Sequence, residues 1–131
     1  MSGAYGPTTD DEGVSAILTY LDAGGTLIDT GDFYGAGHNE MLIGRALRTR
    51  SHEDVVLSVK FGAVLSPDGA FIGFDGRPDA VRNSLAYSLR RLGTDYVDVY
   101  RPAGWTRKSR SRKLWARSPN SSRPDMSGRS V

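Results

Sequence analysis

The 131-residue chain has room for one ordinary domain with a real core, carries a formal net charge of +2, and contains no cysteine. Disulfides and thiolate metal sites are thereby excluded, and no apolar run is long enough to span a bilayer. The net charge hides a division: residues 1–103 hold nine Lys/Arg against fourteen Asp/Glu, whereas 104–131 hold eight Lys/Arg against Asp125 alone.

The first segment, Met1 to Gly6, lacks the basic and apolar regions of a signal peptide, and a cytoplasmic location is expected. Thr9 or Asp10 can cap a helix, with Asp11 and Glu12 in its first turn. Val14, Ile17, Leu18 and Leu21 then recur at helical spacing, and Gly24-Gly25 stops the run. Thr26 to Asp29 reads as a buried strand. A loop over 30–37 contains Gly31, Gly35 and Gly37, only a weak likeness to a phosphate-binding turn. A second helix begins near Asn39, with Met41, Leu42, Ala46 and Leu47 as its core stripe. His38, beside Asn39 at that helix start, reads as structural.

Val55 to Val59 is β-branched and apolar, hence a strand. Residues 61–77 read as a long loop of the kind that forms lids or binding loops. Pro78 opens a third helix. Its buried side is Val81, Leu85, Leu89 and Leu92, and Gly93 ends it. Tyr96 to Tyr100 is the next strand, within which Asp98 reads as structural. The order α-β-α-β-α-β implies right-handed crossovers and a parallel sheet.

In such a sheet the carboxyl ends of all strands share one face, where α/β barrels keep their chemistry. The acid Asp29, the phenol Tyr34 and the amine Lys60 would meet there, and such a trio can deliver a proton to a carbonyl. Only His38 and His52 offer imidazoles, so no metal site is expected.

Several stretches, in this order, resemble the aldo-keto reductase family: Ile28-Asp29-Thr30, Asp32-Phe33-Tyr34-Gly35, Gly37-His38-Asn39-Glu40, Ile43-Gly44-Arg45-Ala46-Leu47, Lys60-Phe61-Gly62, Ser88-Leu89-Arg90-Arg91-Leu92-Gly93 and Asp95-Tyr96-Val97-Asp98. The resemblance covers residues 3–103. It implies a (β/α)8 TIM-type barrel, of which this chain supplies about three βα units. It also implies NADP(H) as cofactor, a small-molecule aldehyde or ketone as substrate, and Asp29, Tyr34 and Lys60 as catalytic residues. Asp29 would also contact the cofactor. A free phenol titrates near pH ~10. The resemblance therefore implies that the Lys60 ammonium, held by Asp29, favours the phenolate.

The family's histidine position falls near Ala103, which cannot donate to a carbonyl. The family's first strand with its preceding hairpin, and everything after the fourth strand, are not matched. Most family cofactor contacts lie in those later parts, so little or no activity is expected of this chain alone.

The division of domains expected is a partial reductase barrel over 1–103 and a disordered basic tail over 104–131. Shifting the reading frame by one base within the codons for Ala103 to Thr106 permits a family-like amphipathic helix followed by a strand. The tail is thus expected to be out-of-frame translation. The competing function is a basic nucleic-acid-binding module, with Trp105 and Trp115 interleaved among arginines. No specific nucleic acid, membrane or oligomeric state is expected from the pattern.

Overall fold

The structure, a computed structural model, describes residues 9–104. The expectations placed on the tail, from its disorder to its frame and nucleic-acid binding, fall on residues 105–131 and lie outside the described residues.

Helix α1 (Asp10–Asp22) is capped by Thr9 rather than Asp10. The Thr9 hydroxyl accepts from Glu12 N–H at 3.2 Å, and Glu12 Oε2 accepts from Thr9 N–H at 2.9 Å. Such a reciprocal cap contributes about 1 kcal/mol. Strand β1 (Leu27–Gly31) follows, then a tight 3-10 turn at Tyr34–Gly37 and helix α2 (His38–Leu47). Strand β2 (Val56–Phe61) leads into β3 (Ala63–Leu65) and β4 (Phe71–Phe74), then α3 (Pro78–Leu92) and β5 (Val99–Pro102).

The main sheet has the order β1-β2-β5, and both pairings are parallel. Gly31 is the register partner of Lys60, and Lys60 of Arg101, so three carboxyl-terminal strand ends lie side by side. Side chains alternate across a strand. Ile28, Leu57, Val59, Phe61 and Tyr100 therefore face the helices, where they join Ile43, Leu47, Val81 and Leu92 in the buried core. Ile17, Leu21, Leu85 and Leu89 pack against the same cluster. Burial of each fully covered aliphatic side chain contributes roughly 1.5–3 kcal/mol.

The opposite face of the sheet is only partly covered: Ser58 on it is buried, whereas Asp29 and Arg101 stay partly exposed. Leu27 (52 % exposed) and Val56 (42 %) lie at its amino-terminal end. Asp29, Ser58, Lys60 and Arg101 follow on the same alternation toward the carboxyl end. An α/β arrangement with a parallel sheet and helices on one face is a segment of a (β/α)8 barrel wall, whose lumen side is this opposite face.

Three expectations are corrected. Residues 61–77 contain an antiparallel hairpin, β3 with β4, rather than a loop alone. The Ser66-Pro67-Asp68-Gly69 turn closes it: Gly69 N–H bonds Ser66 O at 2.8 Å, and Ser66 N–H bonds Ala70 O at 2.9 Å. Met41 is 53 % exposed and not core. At 100° per residue it points away from Ile43 and Leu47, which hold the buried stripe instead. The last strand starts at Val99 rather than Tyr96. Asp98 intervenes, its carboxylate accepting from Leu57 N–H and its own N–H donating to Leu57 O, both at 2.9 Å. The regular ladder then begins one residue later, at Ser58 with Val99.

Helices α2 and α3 cross closely at Gly44. A Cβ there would stand 2.5 Å from Arg91 O, so only glycine fits. Across the same contact Glu40, with no exposed surface, accepts from Arg91 Nε at 2.5 Å.

Candidate active site

The structure brings the three sequence-predicted residues together. Asp29 sits on β1, Lys60 at the end of β2, and Tyr34 in the turn between β1 and α2. That turn is held near the sheet by Asp32, whose N–H donates to Lys60 O at 3.0 Å. The Lys60 ammonium donates to the Tyr34 phenol oxygen and lies 4.5 Å from the centre of its ring. Its other neighbour is Asp29 Oδ2 at 3.3 Å. Tyr34 is 37 % exposed, whereas the Lys60 side chain is only 16 % exposed. The amine is thus sheltered while the phenol faces outward, the arrangement a proton donor to an incoming molecule requires.

Two further polar residues converge on Asp29, and neither was singled out from the sequence. The Ser58 hydroxyl donates to Asp29 Oδ1 at 2.7 Å. Arg101 Nη2 donates to Asp29 Oδ1 at 2.9 Å and to Oδ2 at 3.1 Å. Their signal was strand register: Ser58, Lys60 and Arg101 occupy one face of adjacent strands, but a strand drawn over 96–100 leaves Arg101 outside the sheet.

Burial of Asp29 works against its charge. Hydrogen bonds from Ser58, Arg101 and Lys60, and the charge of Lys60, outweigh that and hold its carboxyl below the usual value. Burial likewise works against the Lys60 ammonium, and its contacts with Tyr34 and Asp29 raise its pKa nevertheless. At neutral pH the carboxylate and the ammonium are both charged, and each fixes the other.

Behind this cluster lies a second set of charges. Asp32 is pushed up to about 6 by burial and by the nearby Glu40 charge, against the opposing effects of Arg91 and of the Gly62 and Phe33 N–H groups. Asp32 Oδ1 and Glu40 Oε1 are buried without a hydrogen-bond partner among the described residues. His38 is placed apart from the trio's bonds, with Nε2 2.9 Å from Asp10 Oδ1 of α1. Ala103, at the expected histidine position, offers only its backbone, and its N–H donates to Phe61 O at 2.7 Å. Among the described residues no group of three or more His, Cys, Asp or Glu side chains could hold a metal ion, and no helix is long and apolar enough to cross a membrane.

Comparison with known proteins adds an independent line. The pattern of the "Aldo/keto reductase family" matches residues 1–117. Over 101 residues the chain is 36 % identical to "Probable aldo-keto reductase 1" of Glycine max, covering 76 % of this chain and 29 % of that protein. It is 34 % identical over 97 residues to "Aldo-keto reductase yakc [NADP(+)]" of Schizosaccharomyces pombe, covering 73 % of this chain and 28 % of the relative. Among solved structures, an aldo-keto reductase from Klebsiella pneumoniae in complex with NADPH superposes with a TM-score of 0.56 at 34 % identity. That match covers 70 % of this chain and 28 % of the other. The chain therefore spans less than a third of the length of these relatives.

Proposed function

Because the chain belongs to the aldo/keto reductase family, we propose that its strand-end cluster is the proton-delivering half of an NADP(H)-dependent carbonyl reductase site. The observation that supports this reading most directly is the direct contact of the Lys60 ammonium with the Tyr34 phenol oxygen. The ammonium stands where negative charge develops when the phenol gives up its proton, and a fixed charge at that point lowers the barrier. Asp29 holds the ammonium in place. Ser58 and Arg101 hold Asp29. Tyr34 is then the general acid toward a carbonyl oxygen on the partly exposed face of the sheet.

The residues present fit the nicotinamide end of the cofactor. Asp29 keeps 39 % of its side chain exposed despite its partners, leaving an acceptor for a ribose hydroxyl beside the proton donor. The bound cofactor supplies hydride to the carbonyl carbon.

We assign this unit to residues 1–103. The exposed parts of the cluster, 39 % of the Asp29 side chain and 45 % of that of Arg101, leave water in contact with it, and water weakens the charge interactions there. The 131-residue chain alone is accordingly expected to show little or no turnover.

The test follows carbonyl-dependent NADPH oxidation by the purified, mass-verified chain, together with NADPH binding by fluorescence. Brisk turnover by the wild-type chain would overturn the expected inactivity. Any turnover found should fall by ~10²-fold or more in Tyr34→Phe and in Lys60→Met; a rate unaltered in both would refute the assignment. Asp29→Asn should weaken NADPH binding severalfold.

A further inference from the structure

Asp32 carries a charge that the fold would be better without. Its Oδ1 is buried and meets no donor among the described residues, and the same holds for Glu40 Oε1. Three elements each turn one titratable group toward it: Glu40 from α2, Arg91 from α3 and Tyr100 from β5. Arg91 Nε is already given to Glu40, at 2.5 Å, and the Tyr100 phenol donates to Val81 O at 3.3 Å. Two carboxylates thus share one guanidinium. An ionised Asp32 leaves the set with a surplus negative charge in a sheltered place, which destabilises.

What that charge can hold is the segment carrying Tyr34. The carboxylate faces the N–H groups of Phe33 and Gly62. Phe33 precedes Tyr34, and Gly62 follows Lys60 by two residues. One side chain therefore brackets both members of the Lys60–Tyr34 contact. The backbone repeats the tie, with Asp32 N–H donating to Lys60 O at 3.0 Å. Phe33 carries the constraint onward. Its ring lies over Gly31, where a Cβ would stand 2.8 Å from it, and it meets the Tyr34 ring edge to face with centroids 4.6 Å apart. The turn needs such a hold. Gly35, Ala36 and Gly37 all have left-handed backbone, with φ of 58°, 53° and 94°, and Ala36 bears a Cβ that disfavours this conformation. A strained turn persists only where its surroundings fix it. An ionised acceptor binds an N–H about twice as strongly as a neutral one.

We propose that Asp32 is a positioning residue: its carboxylate clips the Tyr34 turn to the end of β2 and so seats the phenol on the Lys60 ammonium. This rests on the reductase reading above, to which it adds a pH limit. The folded pKa of Asp32 is about 6, so the clip is closed above that pH. Below it, a proton on Asp32 cancels the surplus charge, weakens the pull on the Phe33 and Gly62 N–H groups, and lets Tyr34 leave Lys60. The Asp29 pKa is lowered and the Lys60 pKa raised, so neither partner changes charge in this range. Asp32 trades stability for alignment.

The test measures the NOE between the Tyr34 ring and the Lys60 side chain in the full 131-residue chain from pH 4.5 to pH 7.5, with the Asp32 carboxyl carbon titrated alongside. The NOE should fall by about twofold or more toward acid pH, with the midpoint of the Asp32 titration, while the Phe61–Tyr100 NOE holds as a core reference. Asp32→Asn should give the weak, acid-type NOE at every pH, in a chain more stable than wild type at pH 7.5. A merely structural Asp32 would not set seating and stability in opposition. An NOE constant with pH overturns the proposal even if the Tyr34 resonance shifts, because a shift alone reports the field and not the seat. So does a pH-dependent NOE that persists in a folded Asp32→Asn. If that variant does not fold, the wild-type series decides by itself: different midpoints for the NOE and for Asp32 overturn the proposal. Histidine also changes charge in this range, and His38 adjoins the turn, with Nε2 2.9 Å from Asp10 Oδ1. The effect should persist in His38→Gln; its loss there assigns the pH dependence to His38 and overturns the proposal. The two readings fail separately. Carbonyl reduction indifferent to Tyr34→Phe removes the reductase reading and leaves the clip. Tyr34-dependent reduction with a constant NOE removes the clip alone.

Discussion

Ser58 and Asp29 are register partners on β2 and β1, and the Ser58 hydroxyl donates to Asp29 Oδ1 across 2.7 Å. Ser58 is 6 % exposed, so the donor end of this bond is shielded while Asp29 stays partly open to water. Its removal in Ser58→Ala should cost about 1–2 kcal/mol near neutral pH. The wild-type Asp29 pKa is depressed, so its contribution to stability is present above the ordinary carboxylate value and lost as pH falls through the folded value. The difference between wild type and Ser58→Ala should therefore shrink toward acid pH, as read from urea midpoints between pH 7 and pH 3.

Glu40 and Arg91 form a pair of a different kind. Glu40 is wholly buried and its partner lies 51 positions away on another helix. Arg91→Ala leaves a buried carboxylate without its cation and should destabilise by about 3–5 kcal/mol. Arg91→Ala with Glu40→Gln should recover part of that loss, because the stranded charge is gone. A double-mutant cycle from chemical denaturation gives the coupling directly.

Asp32 reverses the usual direction of a carboxylate's pH dependence. Its folded pKa, about 6, lies above its ordinary 3.8. The folded chain then binds the proton more tightly than the unfolded chain. This stabilisation is complete below the unfolded value, declines as pH rises from about 4, and is lost above about 6. Asp32→Asn should abolish that decline. At pH 7 to 8 the variant should be the more stable, by on the order of 2 kcal/mol. Urea midpoints of both proteins across pH 4 to 8 would show it, and parallel profiles would contradict the burial assigned to Asp32.

Gly44→Ala places a methyl group 2.5 Å from Arg91 O and 3.1 Å from the Leu92 backbone. Neither neighbour is a movable side-chain tip. Alanine favours helix over glycine by about 1 kcal/mol, yet the clash should dominate, with a net loss of about 1–3 kcal/mol by thermal melting. A stabilised variant would mean that α2 and α3 do not cross this closely.

Much of the architecture was readable because its signals are local and periodic. The three parallel strands, the three helices and the glycine at the end of α3 each follow from an apolar rhythm and a stop. The convergence of Asp29, Tyr34 and Lys60 followed from topology, since parallel strands align their carboxyl ends. What escaped depends on pairing between distant segments. Ser58 reads as one more residue in an apolar strand until its partner on β1 is known. Arg101 was lost because Asp98 takes up the first pairing position with its side chain, which shifts β5 toward Pro102. The hairpin was hidden by composition, although Ser66-Pro67-Asp68-Gly69 is a recognisable turn. Met41 was misplaced because an apolar residue was taken as core without following the helix angle around to Ile43 and Leu47.

The Phe61–Tyr100 stack, with ring centroids 4.3 Å apart at 27°, has a consequence far from the core it fills. A strand slipped by one residue exchanges its two faces completely. Such a slip in β5 would expel Tyr100 from beneath the helices and turn Arg101 inward into their place. The aromatic pair therefore works as an index mark for the strand-end cluster: it decides which of two neighbouring residues stands beside Asp29. Damage to it would leave every member of the cluster present in the chain and misaddressed.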